Sequence, residues 1–173
     1  MRHIIAGSIL VALCSFGVFS QEPHPAQPPQ PMAPLAWLVG GIWTADASKM
    51  GGGMQRIETR YEWSDNRAFL RFNTHFVSDK GTLHNYDGQF FWDPQQQALK
   101  MWYMNARNDI TEGSIRINDN EFNFLFQGTD FEEKPADLRV QLTRKNNDRY
   151  IWQLAEKTPD GWNPLASLEY VRR

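Results

Sequence analysis

The 173-residue chain is nearly free of cysteine: its single one, Cys14, lies in an apolar N-terminal segment. Beyond Cys14 neither a disulfide nor a thiolate metal site is possible, so we expect packing alone to hold the fold. The net charge is also small, −2, and this gives no electrostatic reason to expect nucleic acid or an anionic membrane surface as a partner. The sequence motifs of serine and zinc hydrolases are missing too, so no catalytic residue and no metal site is assigned.

The first twenty residues are typical of a secretory signal. Arg2 and His3 form a basic start, and the apolar run from Ile4 to Phe19 is short for a membrane span. We therefore expect cleavage after Ser20 and a periplasmic or secreted protein, with residues 1–20 as the signal peptide. A membrane anchor is the alternative.

Residues 21–34 contain six prolines and few side chains able to fill a core. This composition predicts a flexible or polyproline-like linker. We expect one folded domain to occupy residues 35–173, a length that suits a single core.

Short runs of alternating apolar and polar residues fill the domain, as in Ile57 to Trp63, where Tyr61 and Trp63 alternate with Arg60 and Glu62. Turn sequences separate the runs, and about ten strands are predicted to start near residues 41, 54, 68, 82, 98, 110, 121, 137, 149 and 164. The pattern predicts an all-β, closed up-and-down antiparallel barrel, with one helical turn around Ala33 to Val39. A two-sheet sandwich, with the segment from Gly128 to Ala136 crossing between sheets, is the alternative.

Gly41-Ile42-Trp43 opens the first predicted strand, after an apolar turn through Trp37 and Leu38. With the closing segment Leu168 to Arg173, it resembles the calycin superfamily of lipocalins, fatty-acid-binding proteins and nitrobindin-like barrels. The resemblance implies that a late arginine packs across the opening tryptophan, and Arg172 shares the alternation of Leu168 and Tyr170.

A second set of motifs resembles the bacterial lipocalin-like families of unknown function. Its members here are Tyr86-Asp87-Gly88, Trp92-Asp93-Pro94, Trp102 and Gly113. Two departures matter. The segment from Ala45 to Gly53 is too short for the helical lid of fatty-acid-binding proteins, and no histidine follows His84 to act as the late haem ligand of nitrobindin-like proteins. No cofactor is therefore expected.

All seven tryptophans lie after residue 36, so an aromatic-lined cavity and a plain aromatic core are both open interpretations. Because a ten-stranded barrel is wide for its own side chains, we expect a cavity that binds a small hydrophobic molecule. The expected ligand-binding residues are apolar lining groups and a few polar groups that orient the ligand: Trp63, Arg71, Phe72, His84, Tyr86, Trp92, Trp102, Arg107, Phe124 and Trp152.

His75 and His84 flank one predicted hairpin, but alternation assigns His84 to the apolar face and His75 to the polar face. We therefore expect them to be separate structural histidines. Two other functions stay open. One is a calycin-type enzyme, an isomerase or a haem-dependent detoxifier, with His84, Asp109 or Glu112 facing the cavity. The other is a non-catalytic module that binds a protein partner through its loops. The oligomeric state is not predicted.

Overall fold

The computed structural model describes residues 27–129 and 134–173, which form a closed barrel of antiparallel strands. The strands are β1 (Trp43–Asp46), β2 (Met54–Trp63), β3 (Phe69–Ser78), β4 (Gly81–Asp93), β5 (Ala98–Asn105), β6 (Ile110–Asn118), β7 (Glu121–Thr129), β8 (Pro135–Asn146), β9 (Arg149–Thr158) and β10 (Gly161–Arg172).

Each strand pairs with its neighbours in sequence, and β1 pairs with β10 to close the barrel. This arrangement confirms the predicted meander. The sandwich alternative is wrong, because the described strands form one closed barrel in which β7 and β8 are direct neighbours. Nine consecutive strand pairs and the closing β1–β10 pair leave no unpaired edge among the described strands, which removes the usual hazard of edge-to-edge association.

A nine-residue 3₁₀ helix, Gln30–Leu38, precedes β1 and is called the entry helix below. It is longer than the single turn predicted from the sequence. Met32, Leu35 and Leu38 on this helix are fully buried, so packed structure begins before Leu35, within the segment interpreted as a linker. The predicted signal peptide and the first residues of the linker lie outside the described residues.

Strand direction gives the barrel two distinct ends. The entry helix packs at the end where β1 begins and β10 finishes, which we call the closed end. The opposite end, which we call the far end, carries the connections β1–β2, β3–β4, β5–β6, β7–β8 and β9–β10. In the first of these, a 3₁₀ turn, Ser48–Met50, occupies the segment predicted to be too short for a helical lid.

A β-bulge between β3 and β4 changes which face a side chain occupies. Thr74 lies opposite Tyr86, but the next residue, His75, lies opposite His84, so Asn85 is left without a partner. An extra residue shifts the alternation by one. As a result Tyr86 faces inward while His84 lies on the outer wall with His75.

Gly88 in β4 provides space for an aromatic ring. A Cβ atom there would lie 2.5 Å from Cζ of Phe72 and 2.6 Å from the carbonyl oxygen of Trp102. The ring of Phe72 therefore covers a position that only glycine leaves free.

Within the described residues no helix is long and apolar enough to cross a membrane.

Candidate functional site

The closed end is sealed by Trp43 and Arg172. The indole of Trp43 is fully buried and donates a 2.7 Å hydrogen bond from Nε1 to the carbonyl oxygen of Leu38. The guanidinium of Arg172 lies 4.5 Å from the Trp43 ring centroid. This contact confirms the arginine–tryptophan pair that the resemblance implied.

Arg172 also ties the entry helix to β10. Its terminal nitrogens donate hydrogen bonds to the carbonyl oxygens of Trp37, Val39 and Asn147, the last two at 2.6 and 2.7 Å. A positive φ of 69° at Gly41 lets the chain turn into β1, and a Cβ there would lie 2.6 Å from the carbonyl oxygen of Arg173. The opening glycine and the closing arginine therefore belong to one joint.

Aromatic rings fill the barrel next to this joint. Trp37 meets Trp43 edge to face at 5.5 Å between centroids, Trp43 contacts Tyr150 at 4.8 Å, and Tyr150 stacks on Tyr170 at 4.8 Å. Offset and edge-on pairs of this kind add to the burial of apolar area. The closed end is thus a packed core.

Three tyrosines carry hydroxyl groups into this apolar interior. Burial raises the pKa of Tyr61 to about 12, and a hydrogen bond with Tyr150 opposes that rise only in part. Burial also raises the pKa of Tyr150 and of Tyr170 well above the usual value of a tyrosine. Beside them the hydroxyls of Thr59 and Thr74 hydrogen-bond to each other at 3.0 Å. These groups form a neutral polar layer in the middle of the barrel.

Beside the polar layer a series of aromatic contacts begins and continues toward the far end. Phe72 lies 5.0 Å from Phe90, and Phe90 lies 5.0 Å from Phe124. Tyr103 extends the series, at 6.4 Å from Phe72 and 6.0 Å from Phe126. The rings therefore form a continuous series of contacts from the tyrosine layer to Phe126, near the far end of the barrel.

At the far end the inward-facing rings keep part of their surface accessible. This partial accessibility is shared by Phe76, Tyr86, Tyr103 and Phe126. On the β8–β10 side of the wall, the inward side chains of Val140, Trp152, Leu154 and Leu168 are also only partly buried. The interior thus presents apolar surface that its own side chains leave uncovered.

Polar groups are few among these rings. The carboxylate of Glu156 faces inward, because Glu156 lies opposite the buried Leu138 in the β8–β9 ladder. Tyr103 pairs with Thr111 and shares a side-chain hydrogen bond with it, while burial raises the pKa of Tyr103. A mostly apolar surface with a small number of polar groups is the usual composition of a small-molecule site.

The far end also carries large apolar side chains that face solvent. Leu83 is 53% exposed and Ile110 is 67% exposed. Met50 and Met104 belong to the same group. All four lie on strand ends or connections at the far end, so they extend the apolar character of the interior onto the surrounding surface.

The structure divides the predicted ligand-binding residues into two groups. Six face the inside of the barrel: Trp63, Phe72, Tyr86, Trp92, Phe124 and Trp152. Trp63 and Trp92 lie near the closed end, where Trp92 also borders a recess of about 550 Å³ beside Pro31 and Pro34. The remaining four lie elsewhere: Arg71, His84, Trp102 and Arg107.

Arg71 and Trp102 occupy the outer wall, since both lie in register with Gln89 on the polar side of β4. The expectation that they line the interior is wrong. Trp102 was misassigned because nearly every residue of β5 is apolar, so alternation does not show which face is inward. Arg107 lies in the β5–β6 turn, 3.3 Å from Asp109, and both side chains are largely exposed.

The expectation that His84 faces inward is also wrong, because of the bulge at Asn85. His84 stacks on His75 with 4.5 Å between ring centroids, and its Nε2 lies 3.2 Å from a carboxylate oxygen of Asp87. Glu112 pairs with Trp102, so it too lies on the outer wall. The titratable side chains named for the enzyme hypothesis therefore do not meet inside the barrel.

A recess of about 340 Å³ lies on the outer wall across β2–β5. Its floor includes Gly88 and Phe72, and Trp102 borders it. The polar lining groups are Arg60, Glu62, Arg71, Asn73, Asp87 and Gln89. Sequence reasoning assigned Arg71 and Trp102 to one site, and the structure brings them together here, outside the barrel.

In the part of the chain that the structure describes, no three histidine, cysteine, aspartate or glutamate side chains are arranged to hold a metal ion. Comparison with protein-family models gives no match. Comparison with curated proteins gives no match either. The closed ten-stranded barrel is compatible with a calycin-like fold.

Proposed function

We propose that this protein binds a small hydrophobic molecule at the far end of the barrel, as lipocalin-like proteins do. The observation that carries the proposal is the uneven burial of the inward-facing rings. Trp43 and Tyr150 at the closed end are no more than 1% exposed, whereas Tyr103 and Phe126 at the far end remain partly accessible. An apolar ligand would cover the surface that the protein itself leaves open.

The energetics favour an apolar ligand. Covering apolar surface contributes about 25 cal/mol per Å², so 200 Å² of ring and aliphatic surface would supply about 5 kcal/mol before association costs. Glu156 and the Tyr103 hydroxyl are the polar groups within reach of such a ligand, and they favour one polar end that donates hydrogen bonds.

Titration with the fluorescent probe N-phenyl-1-naphthylamine, with 1-dodecanol as competitor, tests the proposal, because the hydroxyl group of the alcohol donates a hydrogen bond. The expected result is saturable binding of the probe to the full chain and its displacement by 1-dodecanol. Trp152 faces inward, so its emission should be quenched on binding, and Trp152→Phe should abolish that quenching. Absence of saturable binding would overturn the proposal.

Ala166→Phe provides a structural control, because Ala166 faces inward opposite Leu154 and the new ring would occupy the proposed site. We expect it to weaken probe binding at least tenfold. The matched variant Ser167→Phe adds the same ring on the exposed outer face of the next residue and should bind like the unchanged protein. If the interior is already full, Ala166→Phe should instead destabilise the fold by about 1 to 3 kcal/mol.

The proposal includes export of the protein to the periplasm or beyond, with residues 1–20 removed. It is supported by the basic and apolar pattern of the N-terminal segment. N-terminal sequencing of the protein recovered from outside the cytoplasm should begin at Gln21. An uncleaved N-terminus in that fraction would contradict it.

A further inference from the structure

We infer that the recess on the outer wall across β2–β5 is a second binding site, which takes a neutral, hydroxyl-rich ligand of the carbohydrate class. The recess is separate from the far end of the barrel, so it does not depend on the function proposed above. Its residues come from four consecutive strands, which fixes their spacing.

The recess consists of two neighbouring cross-strand rows. The first row is Glu62, Arg71, Gln89 and Trp102, each directly opposite the next. The second row is Arg60, Asn73 and Asp87. With strands about 4.8 Å apart, four residues in a row span about 14 Å, which suits a short oligosaccharide laid across the strands.

The polar groups of the recess are available to a ligand. Within the described residues the side chains of Arg60, Glu62, Asn73 and Gln89 make no hydrogen bond or ion pair. Asp87 is different, because one of its carboxylate oxygens lies 3.2 Å from Nε2 of His84. The site therefore offers free donors, free acceptors and one carboxylate in contact with a histidine.

The charges of the recess select against an ionic ligand. Two arginines, Arg60 and Arg71, are balanced by two carboxylates, Glu62 and Asp87. An anion would meet the carboxylates and a cation would meet the guanidinium groups, so neither gains from the site as a whole. A neutral polyol uses both, because each hydroxyl donates to a carboxylate and accepts from an arginine or an amide.

Trp102 gives the recess its preference for a ring-shaped ligand. Its indole borders the recess and is only partly buried on the outer wall. The apolar C–H face of a sugar ring covers such an indole while its hydroxyls reach the polar rows. An aromatic surface combined with a few convergent polar groups is the general composition of a specific site.

The test is titration of the full chain with cellohexaose, maltohexaose and N-acetylchitohexaose, each followed by calorimetry and by the indole N–H resonance of Trp102. At least one oligosaccharide should bind saturably and shift that resonance. Trp102→Ala should weaken binding more than tenfold, and Glu62→Gln, which removes no apolar contact, should weaken it severalfold.

Trp162→Ala is the matched control. Trp162 also lies on the outer wall, but its ring is covered by Arg139 at 4.7 Å and Lys157 at 5.2 Å. Its removal should leave the affinity unchanged. The inference is overturned if none of the three oligosaccharides binds, if Trp102→Ala binds as well as the unchanged protein, or if inorganic phosphate displaces the sugar.

Discussion

The closed end and the far end of the barrel use the same kinds of side chain in different ways. At the closed end the rings of Trp37, Trp43 and Tyr150 are buried against one another and against the entry helix. At the far end Phe76 and Tyr103 keep part of their surface accessible. Aromatic residues thus hold the fold together at one end and leave an apolar surface at the other.

The two ends differ in the contacts that hold neighbouring segments of the chain together. Arg172 and the carbonyl groups it binds close one end across a sequence separation of more than 130 residues. At the far end the β1–β2 connection contains Gly51, Gly52 and Gly53, all with positive φ. We therefore expect substitutions at the closed end to change stability and substitutions at the far end to change binding.

Removal of the buried indole should have the largest effect. Trp43→Ala takes away a fully buried ring, its hydrogen bond to Leu38 and the surface under Arg172. We expect a loss of about 3 to 5 kcal/mol in the free energy of unfolding, measured by urea denaturation. Phe126→Ala, at the far end, should cost clearly less. An equal loss at both positions would remove the distinction between the ends.

Arg172→Lys should have the next largest effect. Lysine keeps the positive charge but cannot reach the carbonyl oxygens of Trp37, Val39 and Asn147 at once. The expected loss is about 2 to 3 kcal/mol, since hydrogen bonds to charged donors are among the stronger ones. The control is Arg116→Lys on the exposed side of β6, which should change the unfolding free energy by no more than about 0.5 kcal/mol.

Alkaline pH should destabilise the barrel through the buried tyrosines of its polar layer. A tyrosine in the unfolded chain loses its proton near pH 10, whereas the pKa of folded Tyr61 is about 12. Between these pH values the unfolded state binds fewer protons than the folded state. The contribution of Tyr61 to the free energy of unfolding is therefore fully present below pH 10 and decreases as the pH rises.

Tyr61 alone should contribute a change of about fivefold in the unfolding equilibrium constant between pH 10 and pH 11. The measurement is urea denaturation at several pH values with tyrosinate absorbance as a second signal. Tyr61→Phe should reduce the slope of stability against pH. A slope that is the same in the variant would show that Tyr61 titrates normally in the folded protein.

The smallest stability effect is expected at the rim of the far end. Leu83→Ser replaces a side chain that is more than half exposed, so the free energy of unfolding should change by no more than about 0.5 kcal/mol. Affinity for N-phenyl-1-naphthylamine should fall instead, if the apolar rim guides the ligand inward. Unchanged affinity would show that the ligand contacts only the interior of the barrel and not the rim.

The sequence predicted the architecture well because alternation and turn residues repeat ten times along the chain. The resemblance to lipocalins implied an arginine packed on Trp43, and the alternation of Arg172 with Leu168 and Tyr170 identified which arginine it is. Alternation failed at His84, where Asn85 adds one residue to β4, and at Trp102, where both faces of β5 are apolar. The outer recess was not predictable as a site, because alternation assigns a face to each residue but does not show which residues of neighbouring strands lie opposite one another.

The pairing of β1 with β10 also bears on when the protein folds. The two strands are joined from Trp43–Arg172 to Ala45–Tyr170, and Ile42 and Arg173 exchange backbone hydrogen bonds beside them. During synthesis the hairpins between neighbouring strands can form early, but the barrel cannot close until β10 has left the ribosome. Contacts so distant in sequence make folding slow. A nascent chain of nine strands is therefore an open sheet, in which β1 and β9 still lack the partner strand that closes the barrel.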